Sequence, residues 1–546
     1  MTQPEWDELS GRVRELATRV ERIEHELGLG EARAAAPANA SVVDQPGVTD
    51  DKIRSSVPLI GRALLGLAGA YLLRALTESG SLPQRVGVAV GVAYAMLWLV
   101  WAARTPAERR LETALHGLTS ALVLSPLLFE AVSRFHAISS WTAAALLFAF
   151  AVVGLCVSWR KDLLVVATFA TLAGVGTAGA LLIATHDALP FTFAFLAIAA
   201  AVEVAACLNH WLSERWLTAA AADLAVLFTT WLVTNARGVP ETYVPIPHSG
   251  VFAAQAALLA IYLASIIVRT LLRGFTVTVF EAAQCAVVFA IGVGGGLRFS
   301  ILVCGAACYL VAFRILDRDG HRGRNFYAYS SFGILLVVTG SRIVMSAEAA
   351  SMLWAALAVA AAWAGSRFGR KTLEVHGAIY LLLAVAGSGA LEQSIALLMS
   401  GAGAASHGEW PVWMSAGVAA VCYGLGRSVR MIHAAVLAWL APAIVAGGFT
   451  VLYHAAYGTE ASHAYCATIR TAMIAAAALL AAWAGARWSK VEFSRLIYPL
   501  MALGAWRLVT IDLRQERTAA LFLSLLFYGG ALMVLPRISR PAARAG

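Results

Sequence analysis

Charge is scarce in this sequence: only 13% of its 546 residues are Asp, Glu, Lys or Arg, while 60% are hydrophobic. Soluble domains usually carry about 25% charged residues. Apolar runs of about 20 residues, the length that a helix needs to cross the hydrocarbon core of a bilayer, recur between residues 57 and 536. The composition therefore excludes a soluble globular protein and predicts an all-α polytopic membrane protein.

Motifs that mark known chemistry are also missing. The seven cysteines form no CxxC pair and no Cys/His pattern, and HExxH and GxSxG are absent. The glycine-rich stretch GVGGGLRF (292–299) lacks a Walker lysine. Lys and Arg lie mainly in short links between apolar runs, so the net charge of +9 gives no basic face for nucleic acid. We therefore expect no metal, no cofactor and no nucleic-acid partner, and the sequence does not favour an enzyme.

The N-terminal arm carries a short heptad pattern instead of a signal peptide. The first residues, MTQPEWDELSGRVREL, are polar and have no apolar core, which predicts a cytoplasmic N-terminus. Apolar residues then alternate at spacings of four and three: Leu9, Val13, Leu16, Val20, Ile23 and Leu27. This a/d pattern predicts a coiled-coil-like helix over residues 1–30, which either associates with itself or a partner helix through residues 9–27 or lies on the protein's own cytoplasmic face. Residues 31–56, rich in Ala, Pro and polar residues at their start, are predicted as a flexible linker.

The links between apolar segments indicate the topology. About 18 segments follow the linker and form a transmembrane domain over residues 57–536, with a basic tail at 537–546. If the N-terminus is cytoplasmic, the links on that side hold 17 Lys and Arg residues and those on the other side hold six. The positive-inside rule then predicts an even number of spans with both termini in the cytoplasm.

Two near-copies of one phrase suggest internal repetition. AAWAGSRFGRK (361–371) and AAWAGARWSKV (481–491) each end a span with an interfacial Trp, small residues and Arg. Glu374 and Glu492 follow in the first turn of the next span, where the helix dipole favours a negative charge. We interpret the phrase as one unit of a repeated helical hairpin.

Polar residues inside apolar segments give the first candidate site. Glu203, Asp223, Glu281 and Gln284 are expected at similar depth in neighbouring spans, where a cation or proton would meet a layer of carboxylates. The alternative, which we favour, is that each carboxylate pairs with an arginine near a helix end, such as Arg269 or Arg314.

The outer ends of the spans give a second candidate site. Charged residues recur there at one level: Arg74, Glu78, Arg85, Glu130, Arg298, Arg342, Glu392 and Arg507. Titratable groups at this level are expected to form an outward-facing polar pocket.

The whole chain resembles one bacterial family. A short N-terminal coil, a Pro/Ala-rich linker, the first hairpin GRALLGLAGAYLLRALTESGSLPQRVGVAVG (61–91) and a long series of hairpins are similar to the predicted multi-pass membrane proteins known as domain of unknown function 2339. The most specific residues are Arg74, Glu78, Gly80, Pro83, Arg85 and Val86. The resemblance implies a bacterial inner-membrane protein, and it brings no reaction, ligand or catalytic residue.

Three functions remain open from the sequence. The first is a transporter or flippase-like protein for a small solute or an envelope lipid, favoured by internal repetition and by carboxylates within the spans. The second is a non-catalytic scaffold that acts through the N-terminal coil. The third is a membrane transferase on a lipid-linked sugar, ranked last because the outer links are short and hold few acidic residues. Membrane lipids are the expected partners in each case.

Overall fold

The computed structural model describes residues 47–106, 108–294, 296–317, 323–400, 409–458, 462–514 and 517–539, with side chains from residue 61 onward. Nineteen α-helices and no strand occur in this part of the chain. The helices are α1 (Gly47–Glu78), α2 (Gln84–Arg104), α3 (Arg110–Ser133), α4 (Ser140–Lys161), α5 (Leu164–Thr185), α6 (Ala188–Cys207), α7 (Glu214–Thr234), α8 (His248–Ile267), α9 (Val279–Gly294), α10 (Arg298–Leu310), α11 (Arg324–Val344), α12 (Ala347–Phe368), α13 (Lys371–Gly387), α14 (Ala390–Met399), α15 (Trp410–Leu425), α16 (Arg430–Tyr457), α17 (His463–Trp488), α18 (Val491–Thr510) and α19 (Thr518–Ser539).

Fourteen helices within the described residues are long and apolar enough to cross a membrane. A further pair, α13 and α14, meets the same test together but bends by 66° at its junction. Large apolar side chains stay exposed along these helices: Ile183 is 71%, Leu224 64% and Phe299 69% accessible. Apolar surface on this scale indicates a lipid environment, so the polytopic all-α architecture is confirmed.

Each of the 18 predicted apolar segments coincides with a helix or with the bent pair, but the full number of crossings is not confirmed. Helices α9 and α15 have only 16 residues each, short of the usual span. A π-helical turn extends α8 over Val268–Leu272, and another extends α10 over Val311–Leu316.

The linker prediction is wrong for its last ten residues. Helix α1 begins at Gly47, so residues 47–56 are helical. The sequence Val-Thr-Asp-Asp at 48–51 places two acidic residues in the first turn, where they favour a helix start. The N-terminal coil and the rest of the linker lie outside the described residues, and so does most of the basic tail.

The chain divides into two compact units. The first extends to Ile138 and includes Val153–Ala173, so that it contains α1, α2 and α3. The second comprises Ser139–Val152 and the chain from Gly174 onward. The cores of both units rely on alanine and leucine, for example Ala95 in the first unit and Ala358 and Leu381 in the second, which are fully buried. Small residues allow membrane helices to approach closely, which explains the alanine-rich spans.

The two copies of the repeated phrase form turns of the same conformation. Gly369 after α12 and Ser489 after α17 both adopt left-handed backbone angles, with φ of 66° and 52°. Gly365 and Gly485 lie four residues before these turns, and both face the start of the next helix so closely that a Cβ would clash with it. Repetition over the rest of the chain stays a prediction.

Candidate functional site

Four helices of the second unit, α6 to α9, bring the candidate intramembrane residues together. Glu203 lies near the end of α6, and Asp223 lies in the middle of α7. Glu281 and Gln284 lie in the first turns of α9. All four side chains are buried, with exposures of 3% to 8%. Glu203 and Glu281 are joined through Arg215, and Asp223 is bonded to Gln284.

Arg215 connects two of the carboxylates. Its Nε donates to Oε1 of Glu203 and its Nη2 donates to Oε2, both at 2.9 Å, which gives a bidentate pair. Its Nη1 atom donates to Oε1 of Glu281 at 2.8 Å. The guanidinium also lies over the Phe280 ring, 4.0 Å from the ring centre. Because Arg215 is only 3% exposed, each of these interactions forms away from water.

Arg269 completes a neutral set of two arginines and two glutamates. It lies in the π-helical turn after α8 and donates from Nε to Oε1 of Glu281 at 3.0 Å. Its Nη1 donates to the carbonyl oxygen of Ala206. Ser265 donates its hydroxyl to Glu203, and Thr278 donates both its backbone N–H and its hydroxyl to Glu281. We call Glu203, Arg215, Arg269 and Glu281 the ionic cluster; its matched charges offset the cost of burial.

Asp223 differs from the glutamates because its partner is an amide. The Nε2 atom of Gln284 lies 2.9 Å from both carboxylate oxygens. Among the described residues, no cationic side chain forms an ion pair with Asp223, although it is only 8% exposed. Tyr262 on α8 lies against Phe280, with ring centres 6.4 Å apart, and its buried hydroxyl has no hydrogen-bond partner in the described part of the chain.

Further polar side chains continue from Asp223 along the same helices. Thr230 lies seven residues after Asp223 on α7, and Gln255 lies seven residues before Tyr262 on α8, so each pair shares a helix face. Gln255 Nε2 donates to Thr230 Oγ1 at 3.0 Å, and its Oε1 atom has no partner among the described groups.

A threonine pair extends this line of polar groups. The hydroxyls of Thr192 on α6 and Thr229 on α7 lie 2.8 Å apart and are fully buried. From Thr192 to Glu203, α6 advances by eleven residues, or about 17 Å. We call the set that runs from this threonine pair past Asp223 to the ionic cluster the polar column.

The structure agrees in part with the alternative stated from the sequence. Glu203 and Glu281 are paired with arginines, and Arg269 is one of the two partners named; Arg314 forms no ion pair with them. Asp223 does not follow that pattern. The sequence indicates only a topology role for Arg215, which is one of the basic residues in the links, and its central place in this site was not predicted. Arg215 lies one residue after the start of α7, at the depth of Glu203.

The predicted outer-side residues belong to both units, four to each. In the first unit, Arg74 pairs with Glu130 at 2.9 Å and with Glu78 at 3.2 Å, and Arg134 pairs with Glu78 at 3.2 Å. Arg85 is exposed and forms no ion pair with a described residue. Three of the four predicted residues of this unit therefore form an ion-pair network, and its fourth member is Arg134.

Of the four predicted outer-side residues in the second unit, Arg507 is the one that is buried. Its Nε donates to Thr471 at 3.1 Å, and Nη1 donates to the carbonyl oxygen of Leu398, in the bent segment α14. Asp512 lies 3.9 Å from Nη2, so the arginine fastens α14 to α17 and α18. The other predicted residues of this unit are exposed and take no part in this network: Arg298, Arg342 and Glu392.

No group of three His, Cys, Asp or Glu side chains suited to a metal ion occurs in the described part of the chain. No protein-family model, curated protein or solved structure matches the sequence.

Proposed function

We propose that this chain is a membrane transport protein whose polar column, between α6 and α9, carries a proton or a small cation that drives or accompanies transport. The observation that carries the proposal is Asp223, a buried carboxylate bonded to an amide and not to a cation. Charge without a partner inside a membrane protein is costly, and it is characteristic of ion and proton pathways. A proton or cation at Asp223 would relieve that cost.

The ionic cluster has a supporting role in this proposal. Its four charges balance and its hydrogen bonds are satisfied, so it fixes the ends of α6, α7 and α9 around the column. Tyr262, at about the level of Asp223, and Gln255, beside Thr230, each have a buried polar atom without a partner among the described residues. Such atoms would bond to the migrating ion or to water, and their side chains are positioned to do so without breaking an existing bond.

Proton flux into proteoliposomes tests the proposal. The purified full-length protein is reconstituted with a pH-sensitive dye inside the vesicles, and flux is driven by a potassium diffusion potential. We expect Asp223→Asn to lower the protein-dependent flux at least about tenfold, because a neutral amide cannot take up the proton. The matched control is Glu348→Gln, an exposed carboxylate at the start of α12. Equal flux in Asp223→Asn and the unchanged protein, with protons and with sodium, would refute the role of Asp223.

The remaining expectations belong to the same proposal. We infer 18 crossings with both termini in the cytoplasm of a bacterial inner membrane, in line with the charge distribution of the links and with the resemblance to domain of unknown function 2339. A small solute or an envelope lipid is the expected cargo.

The scaffold remains the second candidate because of the heptad spacing from Leu9 to Leu27. Deletion of residues 1–30 distinguishes the two functions. A transporter keeps its flux in vesicles after the deletion, whereas a scaffold shows no flux before or after it and loses its cellular function.

A further inference from the structure

The first unit contains a cavity that is separate from the polar column. It has a volume of about 520 Å³, is partly open at the surface, and is bordered by α1, α2, α3 and the first half of α5. Most of its wall is apolar, for example Leu67, Val88 and Leu118. Ligand sites in proteins commonly have volumes of this size and mostly apolar walls.

Charged groups occupy one end of the cavity only. Arg74 and Glu130 line it there, and their side chains are 35% and 22% exposed. From Glu130 back to Leu118, α3 covers twelve residues, or about 18 Å. The cavity is therefore amphipathic along its length, with an ion pair at one end and an apolar region that extends over more than three helical turns.

A proline adds a polar atom to the apolar wall. Pro126 lies inside α3 and lines the cavity with Leu122 and Ser125. Because proline has no N–H, the carbonyl oxygen of Leu122 lacks its helical hydrogen-bond donor. Leu122 and Pro126 both line the cavity, so the residue that carries this acceptor belongs to its apolar wall.

The ion-pair network at the charged end has both signs in equal number. Arg74 and Arg134 are the cations, and Glu78 and Glu130 are the anions. A phosphodiester is recognised by arginine and a primary ammonium by a carboxylate. A zwitterionic headgroup that carries a phosphate and a primary ammonium would insert between Arg74 and Glu130. The ion pair between these two side chains would then be replaced by two, one from Arg74 to the phosphate and one from Glu130 to the ammonium.

We propose that this cavity binds one phospholipid with an ethanolamine-type headgroup. The phosphate contacts Arg74, the primary ammonium contacts Glu130, and one acyl chain lies along the apolar wall toward Leu118 and Leu67. The site does not depend on the polar column and extends the proposed transport function by naming a lipid that the protein binds.

Native mass spectrometry of the delipidated full-length protein tests the proposal. Phosphatidylethanolamine, phosphatidylglycerol and phosphatidylcholine are added separately at equal concentration, and bound lipids are counted. We expect one tightly bound phosphatidylethanolamine and at least about tenfold weaker binding of the other two, because only the primary ammonium donates to Glu130.

Two pairs of variants localise the binding. Arg74→Gln is expected to weaken it about tenfold, whereas Arg85→Gln, which removes an exposed arginine with no ion pair to a described residue, leaves it unchanged. Ala70→Trp places an indole ring in the path of the acyl chain and is expected to abolish binding, whereas Ala68→Trp, on the exposed face of the same helix, has no effect. Equal binding of all three lipids, or binding that survives both Arg74→Gln and Ala70→Trp, would overturn the proposal. Asp223→Asn changes neither result, so failure here is distinguishable from failure of the proposed ion pathway.

Discussion

Arg215 is the residue on which the ionic cluster depends most. It is the only described cation bonded to Glu203, whereas Glu281 also has Arg269. Removing one partner of a buried ion pair leaves an uncompensated charge, which typically costs about 3–5 kcal/mol. We therefore expect the loss of Arg215 to destabilise the protein more than the loss of Arg269.

We expect Arg215→Met to lower the free energy of unfolding by about 3–5 kcal/mol in an SDS titration from detergent micelles. Adding Glu203→Met to it should restore most of that loss, because both members of the pair are then apolar. Arg298→Met, which removes an exposed arginine that pairs with no described carboxylate, serves as control and should leave stability within about 0.5 kcal/mol. A double variant as unstable as Arg215→Met would show that the pairing with Glu203 is not what stabilises the cluster.

Side-chain depth was predictable from the sequence at these residues, but side-chain pairing was not. The similar depth of the three carboxylates could be predicted from their positions within apolar segments, at Glu203, Asp223 and Glu281. Which charges meet depends on how the helices are arranged around one another, and helical periodicity does not contain that information. The bond between Asp223 and Gln284 illustrates this, since an amide and an arginine were equally compatible with the spacing.

At the scale of the element, the hairpin turns at Gly369 and Ser489 share one conformation but differ in residue type. Left-handed backbone angles cost an L-residue about 1–2 kcal/mol, and glycine avoids that cost. Glycine also loses more conformational entropy on folding, and this loss cancels about 0.5–1 kcal/mol of its advantage over serine. Serine at 489 is therefore a weaker helix terminator than glycine at 369.

We expect Ser489→Gly to raise the free energy of unfolding by about 0.5–1 kcal/mol, and Gly369→Ala to lower it by a similar amount. Ser366→Gly makes the same chemical change inside the last turn of α12, where the backbone is helical, and should be destabilising. The comparison of the three unfolding free energies checks the sign. A destabilising Ser489→Gly would indicate that the serine side chain contributes more than the backbone strain costs.

Helix positions followed closely from the sequence because each apolar segment must satisfy its own backbone hydrogen bonds in a membrane. The exceptions have local causes. At the junction of α13 and α14, Gly389 adopts a left-handed conformation with φ of 81°, which allows the 66° bend. The division into two units could not be predicted from the composition, because the spans of both units are alanine-rich.

At the scale of the whole molecule, the topology depends on three weak elements. Helix α15, with 16 residues, is about 24 Å long, compared with about 30 Å for the hydrocarbon core. Helix α9 has the same length, and the pair α13–α14 is bent. A short helix crosses if the bilayer thins or if flanking residues reach the interface, at a modest energetic cost.

We expect all three elements to cross, so that both termini lie on the cytoplasmic side. The check uses a reporter active only in the cytoplasm, fused after residue 546 or inserted after Gly274, Glu409 or Arg427. Activity is expected at 274, 427 and 546 and not at 409, since Arg427 and Arg430 belong to the basic links. If α15 does not cross, positions 409 and 427 report the same side. If either α9 or the pair α13–α14 does not cross, positions 409, 427 and 546 are all inverted while 274 is not. The four positions therefore distinguish a failure of α15 from a failure of α9 or of the pair α13–α14, and an inverted signal at 546 would contradict an even number of spans.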